Sequence, residues 1–468
     1  MLFNSLEFLI FFPLVTILYF LIRHERRWFL LLVASCYFYM AFVPVYILIL
    51  FFTIVIDYYA GILIESSAGK RRKLMLVLSL VSNIGVLAVF KYYNFLNDNL
   101  SHVLGLLHYS NPLPALKMLL PIGLSFHTFQ AMSYTIEVYR GHQKAERHFG
   151  IYSLYVMFYP QLVAGPIERP QNLLHQFREH HHFDADNFRA GIMQMAFGMF
   201  KKVVIADRLA IAVDFAYNNY ESQSGLSLAI AAVLYSFQIY CDFSGYSEIA
   251  LGAARVMGFR LMVNFNAPYL AQSVTEFWRR WHISLSTWFK DYLYISLGGN
   301  RKGRLRLYMN LFIVFMVSGL WHGPNWTFVV WGAMHGIFII IERLLHIDTT
   351  GNEQDQSGTA LRSVRTVFTF CLVTLAWIFF RAENLQKAVS IVSQIAHLSF
   401  SDSVHLGLNA AELIFSFLLI ALLYWVEKRS VDFKFRHRWS FVLALLAFVF
   451  ICCFFGVFDS KQFIYFQF

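Results

Sequence analysis

Between positions 45 and 64 the chain runs for twenty residues with a single charge, Asp57. A helix rises 1.5 Å per residue, so a run of this length spans about 30 Å, the hydrocarbon thickness of a bilayer. Further long apolar runs occupy 6–22, 74–90, 226–240, 326–341, 364–380, 411–426 and 441–458. Shorter ones at 28–43, 116–136, 151–164, 192–205 and 307–320 read in part as re-entrant or interfacial segments. The sequence therefore predicts an all-α polytopic membrane protein with about eleven crossings. Charge supports this reading: Asp, Glu, Lys and Arg make up 14% of the chain, against about 25% in soluble domains. A chain so poor in charge could not cover its own surface in water.

The first run, 6–22, reads as a membrane helix, because no positive n-region precedes it and no small-residue cleavage site follows. The net charge of +10 sits mostly in short loops and is first a topology signal. Arg23, Arg26 and Arg27 form one basic cluster, Lys70–Lys73 a second, and Lys428, Arg429, Lys434, Arg436 and Arg438 a third. The positive-inside rule places all three in the cytoplasm and both termini on the outer side. Segment 94–114, on the far side, carries only Asp98 as a full charge, as that topology requires. Basic residues scattered through loops make nucleic acid a poor partner.

The five cysteines, Cys36, Cys241, Cys371, Cys452 and Cys453, lie in or beside apolar runs and show no zinc-like spacing, so neither a disulfide framework nor a structural metal is expected. His180, His181 and His182 could bind metal, but without a partner cluster they read as a solvated loop. The polar stretch 346–362 reads as a cytoplasmic loop.

From Tyr152 to His335 the apolar runs are interrupted by Pro, Gly, His, Asp and Arg. Ionisable groups and irregular backbone at membrane depth are costly and usually line a cavity or pathway. Function is sought there. In segment 273–297, Ser273 with Glu276 predicts a capping box and a helix start, and Gly298–Asn300 its end. Trp278, Trp281, Leu285 and Trp288 would form an aromatic stripe, and Arg279, His282, Ser286 and Lys290 a polar one. Such a helix suits the membrane interface, and its cationic side could hold phosphates of a nucleotide-bearing donor. An interfacial anchor without chemistry is the alternative, favoured for Trp278 and Trp288, whereas His282 is favoured as functional.

His322 follows Trp321 and precedes Gly323 and Pro324, and the proline stops a helix from running through. An imidazole beside such a break is the natural general base near neutral pH; a histidine hydrogen-bonded between helices is the structural alternative. For His335, packing and function are equally open. Asp242 and Ser244 follow the run at 226–240; with no nucleophile elbow in the chain they read better as interhelical hydrogen-bonding groups. Gln161 sits in a broken, polar-tipped segment, and 264–269, containing Asn266, reads as a turn.

Several stretches carry a resemblance: PIGLSFHTFQAMSYTIEVYRG, MFYPQLVAGPIERP, FKKVVIADRLA, YCDFSGYSEIALG, NFNAPYLAQSVTEFWRRWHISLSTWFKDYLYISLGGNR, SGLWHGPNWTFVVWG and the terminal FIYFQF. In this order the chain resembles the membrane-bound O-acyltransferase (MBOAT) superfamily, within it the bacterial alginate O-acetyltransferase branch. The resemblance implies a helical ring around a membrane-embedded tunnel, formed by one domain over 1–468. N-terminal helices would lie at 1–150, a catalytic core at 151–345 and C-terminal helices at 346–468. It implies an acyl thioester donor, acetyl-CoA above all, entering from the cytoplasm, with no metal.

By resemblance, His322 of the WHG motif and His282 of the tryptophan-rich segment are the catalytic pair. Arg279, Arg280, Trp278, Trp321, Asp242, Ser244, Asn266, His335 and Gln161 are candidates for donor binding or tunnel lining. The implied acetyl acceptor is an exopolysaccharide, reached through a periplasmic SGNH-hydrolase-like acetyltransferase and a polysaccharide biosynthesis complex at the bacterial inner membrane. A lipid, teichoic acid or peptidoglycan acceptor is the alternative within the superfamily. A transporter of an activated sugar or lipid carrier is the alternative from another class. Pro324 and Asn325 depart from the small residue expected after WHG, and the chain is short for an alginate system, which leaves the polymer open.

Overall fold

The computed structural model describes residues 1–116, 121–346, 358–429, 435, 437–458 and 463. The core of the expected loop at 346–362, the basic residues Lys434 and Arg436, and all but Phe463 of the terminal FIYFQF lie outside the described residues. Within them every regular element is helical. In chain order the helices are α1 Leu6–Leu21, α2 His24–Met40, α3 Ile47–Ser66, α4 Gly69–Leu106, α5 Leu124–Arg140, α6 Phe149–Met157, α7 Ala185–Met199, α8 Asp207–Asn218, α9 Gly225–Val256, α10 Val274–Arg280 and α11 Ile283–Trp288. They continue as α12 Arg304–His322, α13 Trp326–Leu344, α14 Thr359–Arg381, α15 Leu385–Ala396, α16 Ala410–Lys428 and α17 Arg438–Phe455. Among the described residues eight helices are long and apolar enough to cross a membrane: α4, α9, α12, α13, α14, α16, α17 and α3 with its preceding turn. The sixteen-residue α1 is a shorter apolar helix. The chain is a multi-pass membrane protein.

The helices group into two compact units, the first mainly Met1–Met195 and Ser247–Met262, the second mainly Ala196–Tyr246 and Val263–Phe433. In the first, α1 buries Phe8, Phe11, Phe12, Val15 and Tyr19 while Leu6, Leu9, Ile10, Leu14 and Ile17 are exposed. A helix apolar on its packed and its outward face belongs in lipid. Asp57 on α3 is fully buried, and its carboxylate accepts from Ser79 Oγ (2.6 Å) and Asn83 Nδ2 (2.8 Å) on α4. Such pairing is how an ionisable side chain is tolerated at that depth.

In the second unit α12 and α13 form a tight antiparallel pair. A Cβ on Gly319 would come 2.2 Å from the Phe328 carbonyl oxygen, and one on Gly332 2.3 Å from that of Phe315. The two backbones touch only because both positions lack a side chain. This contact fixes the hairpin whose turn carries His322.

The segment expected as one helix over 273–297 is broken. It starts as expected, with Ser273 Oγ accepting from Glu276 N (3.0 Å), but the Glu276 carboxylate reaches past Ser273 to Gln272 N (2.8 Å). α10 then ends at Arg280, and His282 adopts a left-handed backbone with φ +43°. The reason is a competing set of backbone partners. Asn266 N donates to Arg280 O (2.9 Å), Ile283 N to Asn264 O (2.9 Å), and Ser284 N and Oγ both donate to Asn264 Oδ1 (3.2 and 2.7 Å). The extended segment at 264–266 thus takes up polar groups that a continuous helix would pair internally.

Candidate functional site

His322 is the last residue of α12, and Gly323 turns extended, with the Asn325 side chain capping α13 by accepting from Thr327 N (3.0 Å). The helix stop expected from Gly323–Pro324 is where His322 sits. Its imidazole is 5% exposed and makes edge contacts with Trp321 (ring centroids 5.0 Å), Trp331 (5.0 Å) and Phe380 (5.2 Å). His282, fully buried, stands 6.3 Å from Trp321 and 4.7 Å from Phe243. Trp321 therefore contacts both imidazoles. Burial, the larger effect, overrides a backbone hydrogen bond and pulls the His282 imidazole down to about 3. It is neutral at physiological pH, able to accept one proton and donate another.

The left-handed turn moves His282 off the polar row drawn for it. Arg279, Ser286 and Lys290 do converge, joined by Thr275, Ser318 and Arg343, on a cavity of about 380 Å³ whose other walls include Trp278, Leu285, Val314 and Ile339. Neither His282 nor His322 is among its lining residues, although Ser318, one turn before His322 on α12, is; the His282 ring faces Phe243 and Trp321 instead. The expected interfacial aromatic stripe is likewise corrected. Trp278, Trp281 and Trp288 are 8%, 1% and 5% exposed and pack into the protein. Trp281 lies 5.0 Å from Trp377, which stacks on Trp331 (5.7 Å). An apolar stripe is equally at home in lipid and in a protein core, and here the neighbouring aromatics supply the core.

His335 is fully buried, and its Nδ1 accepts from Trp278 Nε1 (3.2 Å) while its ring meets Trp331 at 5.0 Å. Nδ1 is therefore unprotonated and the proton of the neutral ring is on Nε2. Arg280 pairs with Glu276 (2.6 Å), one turn back on α10. Asp242 on α9 forms an ion pair with Lys202 (2.6 Å), which also holds Asp207 (2.8 Å); Ser244 is buried nearby on the same helix. Lys202 lies in a π-helical turn, Phe200–Ala206, where the widened backbone leaves Val203 O to accept from Val457 N (2.8 Å). Gln161 belongs to the first unit, where its Nε2 donates to Tyr155 O (3.0 Å).

Two contributors were not singled out from the sequence. Glu342 on α13 caps α10, its carboxylate accepting from Val274 N, Thr275 N (2.9 Å) and Thr275 Oγ1 (3.0 Å). This places a negative charge at a helix N-terminus, where it is favourable. Arg343, its neighbour, lines the cationic cavity. Their only local signal was an acid–base pair closing an apolar run. Among the described residues no group of three or more His, Cys, Asp or Glu side chains is placed to hold a metal ion.

The second unit thus holds a buried imidazole at a helix break, a second buried imidazole in contact with the same tryptophan, and a cationic cavity that neither imidazole lines. The chain belongs to the membrane-bound O-acyltransferase family, whose model matches residues 43–381 and so takes in both histidines. It is an acyltransferase. Among relatives it is 42% identical to the probable alginate O-acetylase AlgI of Pseudomonas putida, over 88% of this chain and 83% of that one. Identity to the Pseudomonas aeruginosa protein of the same description is 39%, over 90% and 81%. The peptidoglycan O-acetyltransferase of Helicobacter pylori is 34% identical, over 82% and 76%.

Proposed function

We propose that this acyltransferase moves acetyl groups from a cytoplasmic thioester, acetyl-CoA, across the inner membrane for O-acetylation of an exopolysaccharide. It would act as one membrane-embedded domain with both termini periplasmic, passing acetyl to a periplasmic SGNH-hydrolase-like partner within a polysaccharide biosynthesis complex. The observation that carries this reading is the His282–Trp321–His322 arrangement at the end of α12 in a chain so similar to alginate O-acetylases.

His322 acts as general base. Its imidazole takes the proton of an acceptor hydroxyl as the acyl C–O bond forms, the thioester C–S bond breaks, and the proton passes to the leaving thiolate. A base positioned in this way contributes about 10²–10⁴-fold. His282, neutral, orients the reacting groups by hydrogen bonding, and Trp321 packs against both imidazoles. Arg279, Lys290 and Arg343 supply charge-assisted bonds for the donor's phosphates, with the cavity's apolar wall left for its pantetheine arm. Trp278 helps form that wall, and His335 positions it through the Nε1–Nδ1 bond. Asp242 with Lys202, Ser244, Asn266, Arg280 and Gln161 serve the surrounding framework.

The test is labelled acetyl-CoA supplied to the cytoplasmic face of membrane vesicles, with product analysis of the polymer fraction. Label in O-acetyl esters of a secreted polysaccharide supports the reading. Label confined to lipid, or an uncatalysed background only, refutes it. Peptidoglycan is the second acceptor, favoured by the similarity to the Helicobacter pylori enzyme, and label in muropeptides selects it.

A further inference from the structure

The helices α1 and α2 meet at Ile22 and Arg23, and beside that turn lies an open groove of about 460 Å³ lined by Ile22, Arg23, Arg26, Phe29, Leu30 and Val33. The composition of the groove is split along its length. Arg26, Phe29, Leu30 and Val33 fall at i, i+3, i+4 and i+7, one face of α2. That face begins with a cation in the first turn and runs about 10 Å into apolar side chains. Phe29 and Val33 are 56% and 50% exposed although they are large and apolar, so the lower half of the groove faces hydrocarbon.

The upper half is charged and uncommitted. Arg27, next in sequence, is buried and occupied: its Nε donates to Ile22 O (3.2 Å) and a terminal nitrogen to His181 O (2.6 Å). Arg23 and Arg26 are exposed and have no ion pair or side-chain hydrogen bond among the described residues. Glu25, between them in sequence, does not line the groove. Arg23 is also the N-cap of α2 and makes no side-chain capping bond, so the helix's first N–H groups add their partial positive charge to the two guanidinium groups.

We propose that this groove is a binding site for an anionic glycerophospholipid. Its phosphate sits between Arg23, Arg26 and the N-terminus of α2, and one acyl chain lies along Phe29, Leu30 and Val33. The two-part chemistry selects the ligand: a free phosphate has no use for the apolar half, and a zwitterionic lipid brings a choline or amine against two cations.

The experiment uses the full-length protein in detergent and follows its thermal unfolding as phosphatidylglycerol, phosphatidylcholine or inorganic phosphate is added. Phosphatidylglycerol is expected to raise the midpoint, and the other two to leave it in place. In R23Q/R26Q the concentration needed for half of that rise should increase by about thirtyfold, the factor two basic residues provide at a lipid headgroup. Val33→Trp fills the apolar half while sparing both arginines, and it too should weaken the response. An unchanged phosphatidylglycerol response in R23Q/R26Q, an equal response to phosphatidylcholine, or a shift reproduced by inorganic phosphate would each overturn the proposal.

Discussion

Asn264 is the residue on which the break at His282 rests, and replacing it by leucine isolates that role. Its Oδ1 accepts from both Ser284 N (3.2 Å) and Ser284 Oγ (2.7 Å), and Asn264 and Ser284 are both essentially inaccessible to solvent. Asn264→Leu keeps the volume but removes the acceptor that two buried donors share. Losing a buried hydrogen bond costs about 0.5–1.5 kcal/mol, so the variant should lose roughly 1–3 kcal/mol. Ser284→Ala removes one of those donors, and the pair N264L/S284A should therefore lose about 1 kcal/mol or more less than the sum of the single variants. Asn264→Asp retains the acceptor but buries a carboxylate in place of a neutral amide, so it too should be destabilised. Thermal unfolding in detergent gives the stabilities and acyl transfer in vesicles gives the activities. Because His282 is the left-handed residue that this cradle holds, Asn264→Leu should lose activity even at temperatures where it remains folded. Equal midpoints and equal turnover for Asn264→Leu and wild type would refute the account of the break.

Two further outcomes follow from the same structure. Arg279→Gln and Lys290→Gln should raise KM for the acyl donor while sparing kcat, by about 10- to 100-fold where a charge-assisted bond is lost; steady-state kinetics with varied acetyl-CoA measures the split. Glu168 in the first unit is fully buried, and burial raises its carboxyl to about 7, against opposing bonds from Met262 N and Asn172 Nδ2. Its folded value lies above the unfolded one, so the stability linked to its proton is complete below about 4.5 and fades as pH rises through 7. Glu168→Gln should flatten the fall in unfolding midpoint between pH 5 and about 8, and an unaltered profile would contradict the assignment.

How far the sequence discloses the molecule depends on how local each cause is. The run at 45–64 and the stop at Gly323–Pro324 are legible because length and a missing N–H act on the residues that carry them. The break at His282 is not, because its partner Asn264 lies eighteen residues earlier and nothing inside 273–297 records it. The apolar run at 226–240 marks only part of α9, which continues to Val256, because Asp242 interrupts the run and the lysine that pairs with it, Lys202, lies forty residues away. The tryptophans of α10 and α11 read as an interface because lipid and protein interior reward the same side chains. Only the aromatic neighbours from α13 and α14 distinguish the two.

Turnover of the His322 variants tests the central claim most directly. Acyl transfer is measured in vesicles in which His322→Ala and His322→Gln are matched to wild type for membrane insertion. A proton-transferring imidazole requires both replacements to reduce turnover by about 10²–10⁴-fold, since glutamine matches part of the shape and hydrogen bonding but cannot act as a base. Turnover within a few-fold of wild type for His322→Gln would show that the imidazole only packs between Trp331 and Phe380, and the base would have to be sought elsewhere.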